Sequence, residues 1–243
     1  MDTGFQNVYN DVVRAEAYAQ LEFPGTYYLA YRDLPAIIRR HVSGTRALDF
    51  GCGTGRSTRF LRDNGFRSVG VDISEPMLAQ ARERDPAGDY QHVPDGDLGS
   101  LPLTSADLIL AAFTFDNVPT HTKKVQLFTA LRRLLAPTGR IVAVVSAPEI
   151  YWHEWASFST KAFPENRAVP CGGLVRITML DVPDARPVED ILWTPEGYQA
   201  VHHEAGLQSL ATYHPLGGPA ETYPWVSETR IAPWAIYVLA PAE

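Results

Sequence analysis

A chain of 243 residues, 45% apolar and 20% charged, is long enough for one globular domain with its own core. Its formal charge of −7 disfavours a nucleic-acid partner, because a negative surface repels the phosphate backbone. Two cysteines are too few for a disulfide framework, and the lack of a long apolar run or a signal peptide predicts a cytoplasmic protein without a membrane span.

The first two-thirds of the chain are predicted to alternate helices and strands. Apolar residues at helical spacing predict helices over 8–21 and 32–42, which together form an N-terminal helical cap at 1–43. Within 44–148, strands are predicted at 46–50, 68–72, 90–93, 107–115 and 140–146, and helices at 56–64, 75–83 and 120–135. Such alternation is typical of an α/β protein with a doubly wound, mostly parallel sheet and helices on both faces.

The pattern changes after Pro148. All five tryptophans lie beyond residue 150, and 149–194 is an aromatic, irregular segment. It contains two predicted strands of a β-hairpin, at 174–180 and 188–194, with a bend near 184–187. In 195–243, a predicted helix at 195–204 and strands at 207–213 and 234–240 complete a seven-stranded sheet. The expectation is a single domain with a β-hairpin insertion after the fifth strand.

A glycine-rich turn, Leu48-Asp-Phe-Gly-Cys-Gly-Thr-Gly55, joins the first strand to the next helix. Glycines allow the backbone to turn sharply and to approach a ligand closely. Ligands of doubly wound sheets bind beyond the carboxyl ends of the strands, which is where this turn lies. A dinucleotide fingerprint would place a glycine at position 56, where this chain has Arg56, so a nicotinamide or flavin enzyme is the weaker alternative.

Five motifs in order resemble the class I S-adenosylmethionine-dependent methyltransferases, in their small-molecule, natural-product branch. They are the glycine turn at 48–55, Val69–Ser74, Gly96–Leu98, the strand at 107–115, and 131–145. The resemblance implies a Rossmann-like methyltransferase fold, S-adenosyl-L-methionine as cofactor and S-adenosyl-L-homocysteine as product. It implies the cofactor-binding residues Asp49, Gly51, Gly53, Gly55, Arg56, Asp72, Ile73, Met77, Asp97, Leu98 and Phe113.

Two acids at strand ends suit a nucleoside. The carboxylate of Asp72 can accept hydrogen bonds from ribose hydroxyls, and that of Asp97 can accept one from an adenine amine. The resemblance further implies that Asp49 orients the amino-acid end of the cofactor and that Ile73 packs on adenine. It also implies that the backbone at Phe113 meets the cofactor's amino group.

The methyl acceptor is less determined. Phe115-Asp-Asn-Val-Pro119 stands where amino-methylating enzymes of DNA carry Asn/Asp-Pro-Pro-aromatic, and Pro170-Cys171 is interpreted as a turn. Asp116 and Asn117 lack a third ligand for a magnesium site, so no metal is expected. The leading hypothesis is in-line methyl transfer to a nitrogen of a small, heteroaromatic metabolite. The alternatives are an O-methyltransferase of a small phenol or carboxylate, and an S-adenosylmethionine-binding protein without methyl transfer.

Aromatic residues in the flanks predict the acceptor site. The predicted substrate-binding residues are Tyr18, Tyr28, Phe115, Trp152, Trp155 and Arg176. His153 and Glu154 are predicted to handle protons. The segments at 154–158, 163–167 and 231–234 resemble toxoflavin-type N-methyltransferases. The expected partner is a small-molecule acceptor, with no nucleic acid and no membrane, in a monomer or homodimer.

Overall fold

The described part of the chain comprises Glu16 and residues 24–94, 97–101, 106–184 and 186–242 of a computed structural model. Its helices are α1 (Gly25–Arg32), α2 (Leu34–His41), α3 (Arg56–Asp63), α4 (Glu75–Arg84), α5 (His121–Leu134) and α6 (Pro195–Glu204). Its strands are β1 (Arg46–Phe50), β2 (Arg67–Asp72), β3 (Asp89–His92), β4 (Ala106–Ala112), β5 (Leu135–Ser146), β6 (Phe158–Ser159), β7 (Leu174–Met179), β8 (Val188–Ile191), β9 (Leu207–Tyr213) and β10 (Trp234–Pro241). The predicted helix over 8–21 lies outside the described residues, apart from Glu16, which is helical.

Seven strands form one sheet in the order β3-β2-β1-β4-β5-β10-β9. β10 runs antiparallel to β5 and β9, while β1 to β5 pair in parallel. This topology confirms the predicted doubly wound, mostly parallel, Rossmann-like methyltransferase fold. Within the ranges given above, no helix has the length and apolar character needed to cross a membrane.

The core lies on both faces of the sheet, and β4 shows why. Leu108 and Leu110 pack on one face with the N-terminal helices, while Ile109 and Ala111 pack on the other face with α5 and α6. All four residues are 0% exposed. A strand that is covered on both faces has a continuous apolar sequence instead of an alternating one, and this is how the run at 106–112 was recognisable.

A second sheet of three antiparallel strands, in the order β6-β7-β8, covers part of the first. β7 and β8 are the predicted hairpin, paired from Leu174 opposite Ile191 to Ile177 opposite Val188. β6 has two residues and was not predicted, because so short a strand has no periodicity to detect. Phe158 of β6 pairs with Met179 of β7, which brings the insertion back over the sheet.

Several element boundaries differ from the prediction: β5 begins at Leu135 instead of 140, and β8 ends at Ile191 instead of 194. Between the helices predicted over 8–21 and 32–42, the structure has a further helix, α1, whose residues from Gly25 to Tyr27 are buried. β4 ends at Ala112 and not at Phe115, because Phe113 adopts the left-handed conformation with φ 63°. A short 3₁₀ turn, Thr114–Asn117, follows it. Three further 3₁₀ segments lie at Leu98–Ser100, Pro148–Tyr151 and Pro164–Ala168.

Candidate active site

The glycine turn connects β1 to α3 at the carboxyl edge of the sheet. Gly51, Gly53 and Gly55 have φ values of 73°, 54° and 78°, in the region that side chains other than glycine rarely adopt. A side chain at Gly51 would also collide with Thr114. The amides of Gly51 and Cys52 both donate to the carbonyl of Val71, at 2.8 and 3.0 Å. These bonds fix the turn against β2.

Asp49, on β1 beneath this turn, is fully buried. Its Oδ2 accepts hydrogen bonds from the hydroxyls of Ser57 and Thr58, both at 2.6 Å. No described residue donates to its Oδ1, which is also buried. Burial raises the pKa of Asp49 to about 6. Oδ1 therefore keeps its capacity to accept a hydrogen bond from a donor group of a ligand.

Asp72 ends β2 beside the same turn. Its Oδ2 accepts from the amide of Gly53 and its Oδ1 from the amide of Ser74, each at 2.8 Å. Burial raises its pKa, against the opposing effect of these two hydrogen bonds. The next residue, Ile73, is 47% exposed. A carboxylate and an exposed apolar side chain at adjacent strand-end positions fit a ribose and an adenine ring.

The remaining predicted cofactor residues divide between surface and core. Asp97 is exposed after β3, and its Oδ1 accepts from the amide of Gly99 at 2.9 Å. Leu98 and Met77 are both 4% exposed and pack inward. The guanidinium of Arg56 lies over the ring of Tyr27, at 5.1 Å from its centroid. The three predicted acids thus lie near the carboxyl ends of three neighbouring strands: Asp49 within β1, Asp72 at the end of β2 and Asp97 after β3.

Phe113 closes this edge at the end of β4. Its amide donates to the carbonyl of Val144 at 2.8 Å. Its ring packs against Trp234 and Tyr27, with centroids 4.7 and 5.5 Å away. The left-handed backbone turns this ring out of the sheet and towards α1.

A cleft opens on the far side of Phe113, between the carboxyl edge of the large sheet and the three-stranded sheet. The cleft is open to solvent at its mouth. The lining residues are Tyr27, Phe113, Asp116, Asn117, Ser146, Ile150, Tyr151, Phe158, Ile177, Met179, Val188, Asp190 and Trp234. Since Phe113 belongs both to this lining and to the cofactor edge, the cleft is next to the place where the cofactor fits.

Three of the predicted acceptor residues do not reach the cleft. Tyr18 lies outside the described residues. Phe115 packs on the opposite face of the sheet, where its ring stacks on that of Phe128 with centroids 3.9 Å apart. It points there because β4 ends at Ala112 and Phe115 lies in the 3₁₀ turn that follows. Trp155 is 1% exposed, and its Nε1 donates to the carbonyl of Ile150 at 2.8 Å. Trp155 therefore fixes the segments that cover the cleft, here called the cover and comprising α1, the insertion after β5 and the segment between β9 and β10, and it leaves no face for a substrate.

Three others lie on the cover, away from the cleft lining. Tyr28 packs on Tyr223, with ring centroids 5.1 Å apart. Trp152 is half-buried, and its Nε1 has no acceptor among the described residues. Arg176 is exposed on β7, on the opposite face from Ile177, and its Nε lies 3.5 Å from a carboxylate oxygen of Glu189.

The two predicted proton-handling residues are also outside the cleft lining. The ring of His153 packs edge-on against Trp155, with centroids 6.3 Å apart. Glu154 accepts from the amide and hydroxyl of Thr160, at 2.7 and 3.1 Å, and from the hydroxyl of Ser159 at 2.8 Å. Burial raises the pKa of Glu154, but these hydrogen bonds outweigh it and lower the pKa. Such a carboxylate holds a loop together and is a poor proton acceptor.

The sequence analysis did not identify the polar groups that line the cleft as acceptor-binding residues. Asp116 was considered only as a metal ligand, and Tyr151 and Asp190 were not singled out. The carboxylate of Asp190 accepts from the hydroxyl of Tyr151 at 3.1 Å. Alternation along β8 was the available signal, since Asp190 shares a face with buried Val188.

The glycine turn and the acids at the carboxyl edge of a doubly wound sheet are the arrangement expected of a methyltransferase, and comparison with known proteins shows the family of this chain. A family model described as a methyltransferase domain matches residues 48–143. The trans-aconitate 2-methyltransferase of Variovorax paradoxus (strain S110) is 30% identical over 202 residues, which cover 78% of this chain and 69% of that enzyme. The chain belongs to the class I S-adenosylmethionine-dependent methyltransferases, and S-adenosylmethionine is its cofactor.

Two further similarities cover nearly the whole chain. The N-demethylindolmycin N-methyltransferase of Streptomyces griseus is 26% identical over 217 residues, 88% of this chain and 90% of that one. The structure of the CcbJ methyltransferase from Streptomyces caelestis superposes with a TM-score of 0.67 at 19% identity, covering 98% of this chain and 99% of that chain. At this identity, the second similarity concerns the fold alone.

Proposed function

We propose that the protein transfers a methyl group from S-adenosylmethionine to a nitrogen of a small, heteroaromatic metabolite. The observation that carries this proposal is the lining of the cleft. It offers aromatic rings and the oxygens of Asp116, Asn117 and Asp190, while no lysine, arginine or histidine is among the described lining residues. Such a lining suits an acceptor that donates N–H hydrogen bonds.

The lining argues against one of the alternatives. A carboxylate acceptor is normally bound by arginine or lysine through charge-assisted hydrogen bonds, and buried carboxylates would repel it. The N-demethylindolmycin N-methyltransferase, similar over most of both chains, supports a nitrogen acceptor. A phenol, which also donates a hydrogen bond, remains the alternative that the experiment must distinguish.

When bound, the cofactor supplies a methyl group activated on a sulfonium sulfur. The part of this chain is to position both reactants and to exclude water. Asp49 would hold the amino-acid end of the cofactor and Asp72 its ribose, while the rings of Tyr27, Phe113 and Trp234 line the side of the cleft next to the cofactor edge and would orient the acceptor. Orientation of this kind is worth about 7–11 kcal/mol in favourable reactions.

The test is a methylation assay with matched acceptor panels. Purified protein and S-adenosylmethionine are incubated with heteroaromatic amines and N-heterocycles, and in parallel with phenols and carboxylic acids of the same size. Mass spectrometry measures the methylated products and the S-adenosylhomocysteine formed. We expect N-methylated products at the higher rate. Faster methylation of the oxygen panel would overturn the nitrogen assignment, and cofactor binding without turnover on any panel would favour a binding protein.

A further inference from the structure

Three ionisable side chains interact electrostatically at the cleft: Asp116 and Asp190 line it, and Lys124 lies close enough to affect both. Asp116 is 4% exposed and Lys124 is 0% exposed, while half-buried Asp190 lines the cleft opposite them. The carboxylate of Asp116 accepts from the amide of Ser146 at 3.0 Å and from its hydroxyl at 2.9 Å. The ammonium of Lys124 donates to the carbonyl of Phe115. Within the described residues, two acids thus share one buried cation.

The carboxylate of Asp190 can accept further hydrogen bonds from a ligand. Among the described residues, its carboxylate accepts one hydrogen bond, the one from Tyr151. Its neighbour Glu189 projects from the opposite face of β8 and lies beside Arg176. Asn117, also in the lining, has a buried Oδ1 to which no described residue donates. The cleft therefore ends in oxygens that lack donors.

The surroundings of Asp190 set its proton affinity. Burial raises its pKa, and the charge of Asp116 raises it further, while the hydroxyl of Tyr151 and the charge of Lys124 oppose the increase. Burial in turn lowers the pKa of Lys124. The pKa of Asp190 lies well above that of a free aspartate, so this carboxyl can release or take up a proton close to neutral pH.

We propose that the acceptor nitrogen is basic, enters the cleft as its protonated cation, and is bound and deprotonated by Asp190. This inference rests on the proposed nitrogen methylation and narrows its substrate class to amines and basic N-heterocycles. One positive charge would balance the second acid of the cluster, and N–H groups would supply the donors that Asp190 and Asn117 lack. The aromatic wall would hold the rest of the molecule.

Deprotonation is required because a protonated nitrogen has no lone pair and its charge is repelled by a sulfonium. In the first step, the Asp190 carboxylate takes one N–H proton, which leaves a neutral nitrogen and a carboxylic acid. The freed lone pair then forms the bond to the methyl carbon as the carbon–sulfur bond breaks, and that electron pair stays on sulfur. The proton on Asp190 leaves to solvent when the methylated cation departs.

The test compares three probes of similar shape: 2-phenylethylamine, which is a cation, 2-phenylethanol, which is neutral, and phenylacetate, which is an anion. Each is titrated calorimetrically at pH 7 into the full chain saturated with S-adenosylhomocysteine, in buffers of different ionisation enthalpy. We expect the amine to bind at least tenfold more tightly than the alcohol, with phenylacetate weakest. Amine binding should release up to one proton from Asp190.

Asp190→Asn should lower the affinity for the amine at least tenfold and abolish the proton release, with the affinity for the alcohol unchanged. Glu189→Gln is the matched control, because it alters the adjacent carboxylate on the opposite face of the same strand. It should bind all three probes as the unmodified chain does. Unchanged affinity of Asp190→Asn for S-adenosylhomocysteine shows that this variant is folded.

Equal binding of amine and alcohol, or an Asp190→Asn variant that keeps both amine affinity and proton release, would overturn the inference. The proposed function can fail separately. Methylation of neutral heteroaromatic N–H groups but not of amines would leave nitrogen transfer intact and remove only the role of Asp190. Methylation confined to oxygen acceptors would remove the proposed function itself.

Discussion

Phe113 is the residue at which the cofactor edge and the acceptor cleft meet, and its backbone is strained. The left-handed conformation costs an L-residue roughly 1–2 kcal/mol, and here the φ of 63° is held by the packing of the ring on Trp234 and Tyr27. Glycine adopts this conformation without the steric cost, because it has no Cβ atom. Both Phe113→Gly and Phe113→Ala lose the ring. We expect the free energy of unfolding of Phe113→Gly to exceed that of Phe113→Ala by about 1 kcal/mol, and its melting temperature to be correspondingly higher. Equal melting temperatures would show that the backbone is relaxed.

Asp49 gives a prediction about pH. Its folded-state pKa of about 6 lies above the ordinary value of 3.8, so the folded state binds this proton more tightly than the unfolded state. The stability contributed is complete below about pH 4 and is lost as the pH rises through 6, by on the order of 3 kcal/mol. Asp49→Asn cannot ionise and should gain in stability relative to the unmodified chain over that interval.

Denaturant unfolding at several pH values between 4 and 8 measures this difference. Asp63→Asn, at an exposed acid at the end of α3, is the control and should follow the unmodified chain. A stability difference for Asp49→Asn that does not change with pH would show that this carboxyl is ionised in the folded protein throughout.

At the scale of elements, Glu228 joins three segments of the cover. It is 0% exposed, and its Oε1 accepts from the hydroxyl of Thr26 on α1 and from the amide of Ala156, both at 2.7 Å. Its Oε2 accepts from the amides of Val226 and Ser227 at 2.8 and 3.0 Å. Each carboxylate oxygen of Glu228 thus accepts two hydrogen bonds, so both oxygens are needed to satisfy the four donors.

We expect Glu228→Gln to be destabilised by about 2–4 kcal/mol, because its amide NH₂ would face donors and leave two of them unsatisfied. The measurement is denaturant unfolding together with limited proteolysis, which should cut the cover faster than in the unmodified chain. Glu165→Gln, at an exposed glutamate in the same insertion, should behave like the unmodified chain. Equal stability of the two variants would mean that Glu228 does not hold the cover.

The elements that sequence predicted well are those with a strong local pattern. β1, β2, α5, α6 and the β7–β8 hairpin lie within a few residues of their predicted positions, because their apolar periodicity agrees with their burial. Helix α1 was missed and the end of β4 was misplaced, since both depend on contacts with Trp234, far away in sequence. In the same way, Asp49 and Asp72 were singled out because they stand in local sequence motifs, while the acids of the cleft come together only through contacts between distant segments.

At the scale of the whole molecule, cofactor binding should stabilise the fold. S-adenosylhomocysteine at 100 times its dissociation constant adds about 2.7 kcal/mol, or roughly 5–10 °C in melting temperature for a chain of this size. Asp72→Ala removes a charge-assisted acceptor and should weaken binding by about 1.5–3 kcal/mol, so the same ligand concentration should give less than half the shift. A full shift in the variant would remove the assignment of Asp72 to the ribose.

The reversed direction of β10 has a consequence for how such enzymes diversify. Trp234 at its start lies opposite Ser146 at the end of β5, and Ala147 donates to the carbonyl of Pro233 at 2.9 Å. The segment between these two strands includes β9 of the same sheet, and the insertion within it begins and ends at nearby points, since Pro148, Glu149, Trp193 and Pro195 line one cavity. Because its two ends lie close together, the insertion can change in length and sequence without disturbing the strands that carry the predicted cofactor residues. A chimera that exchanges 149–191 between relatives would therefore inherit a new acceptor range and keep the old donor affinity.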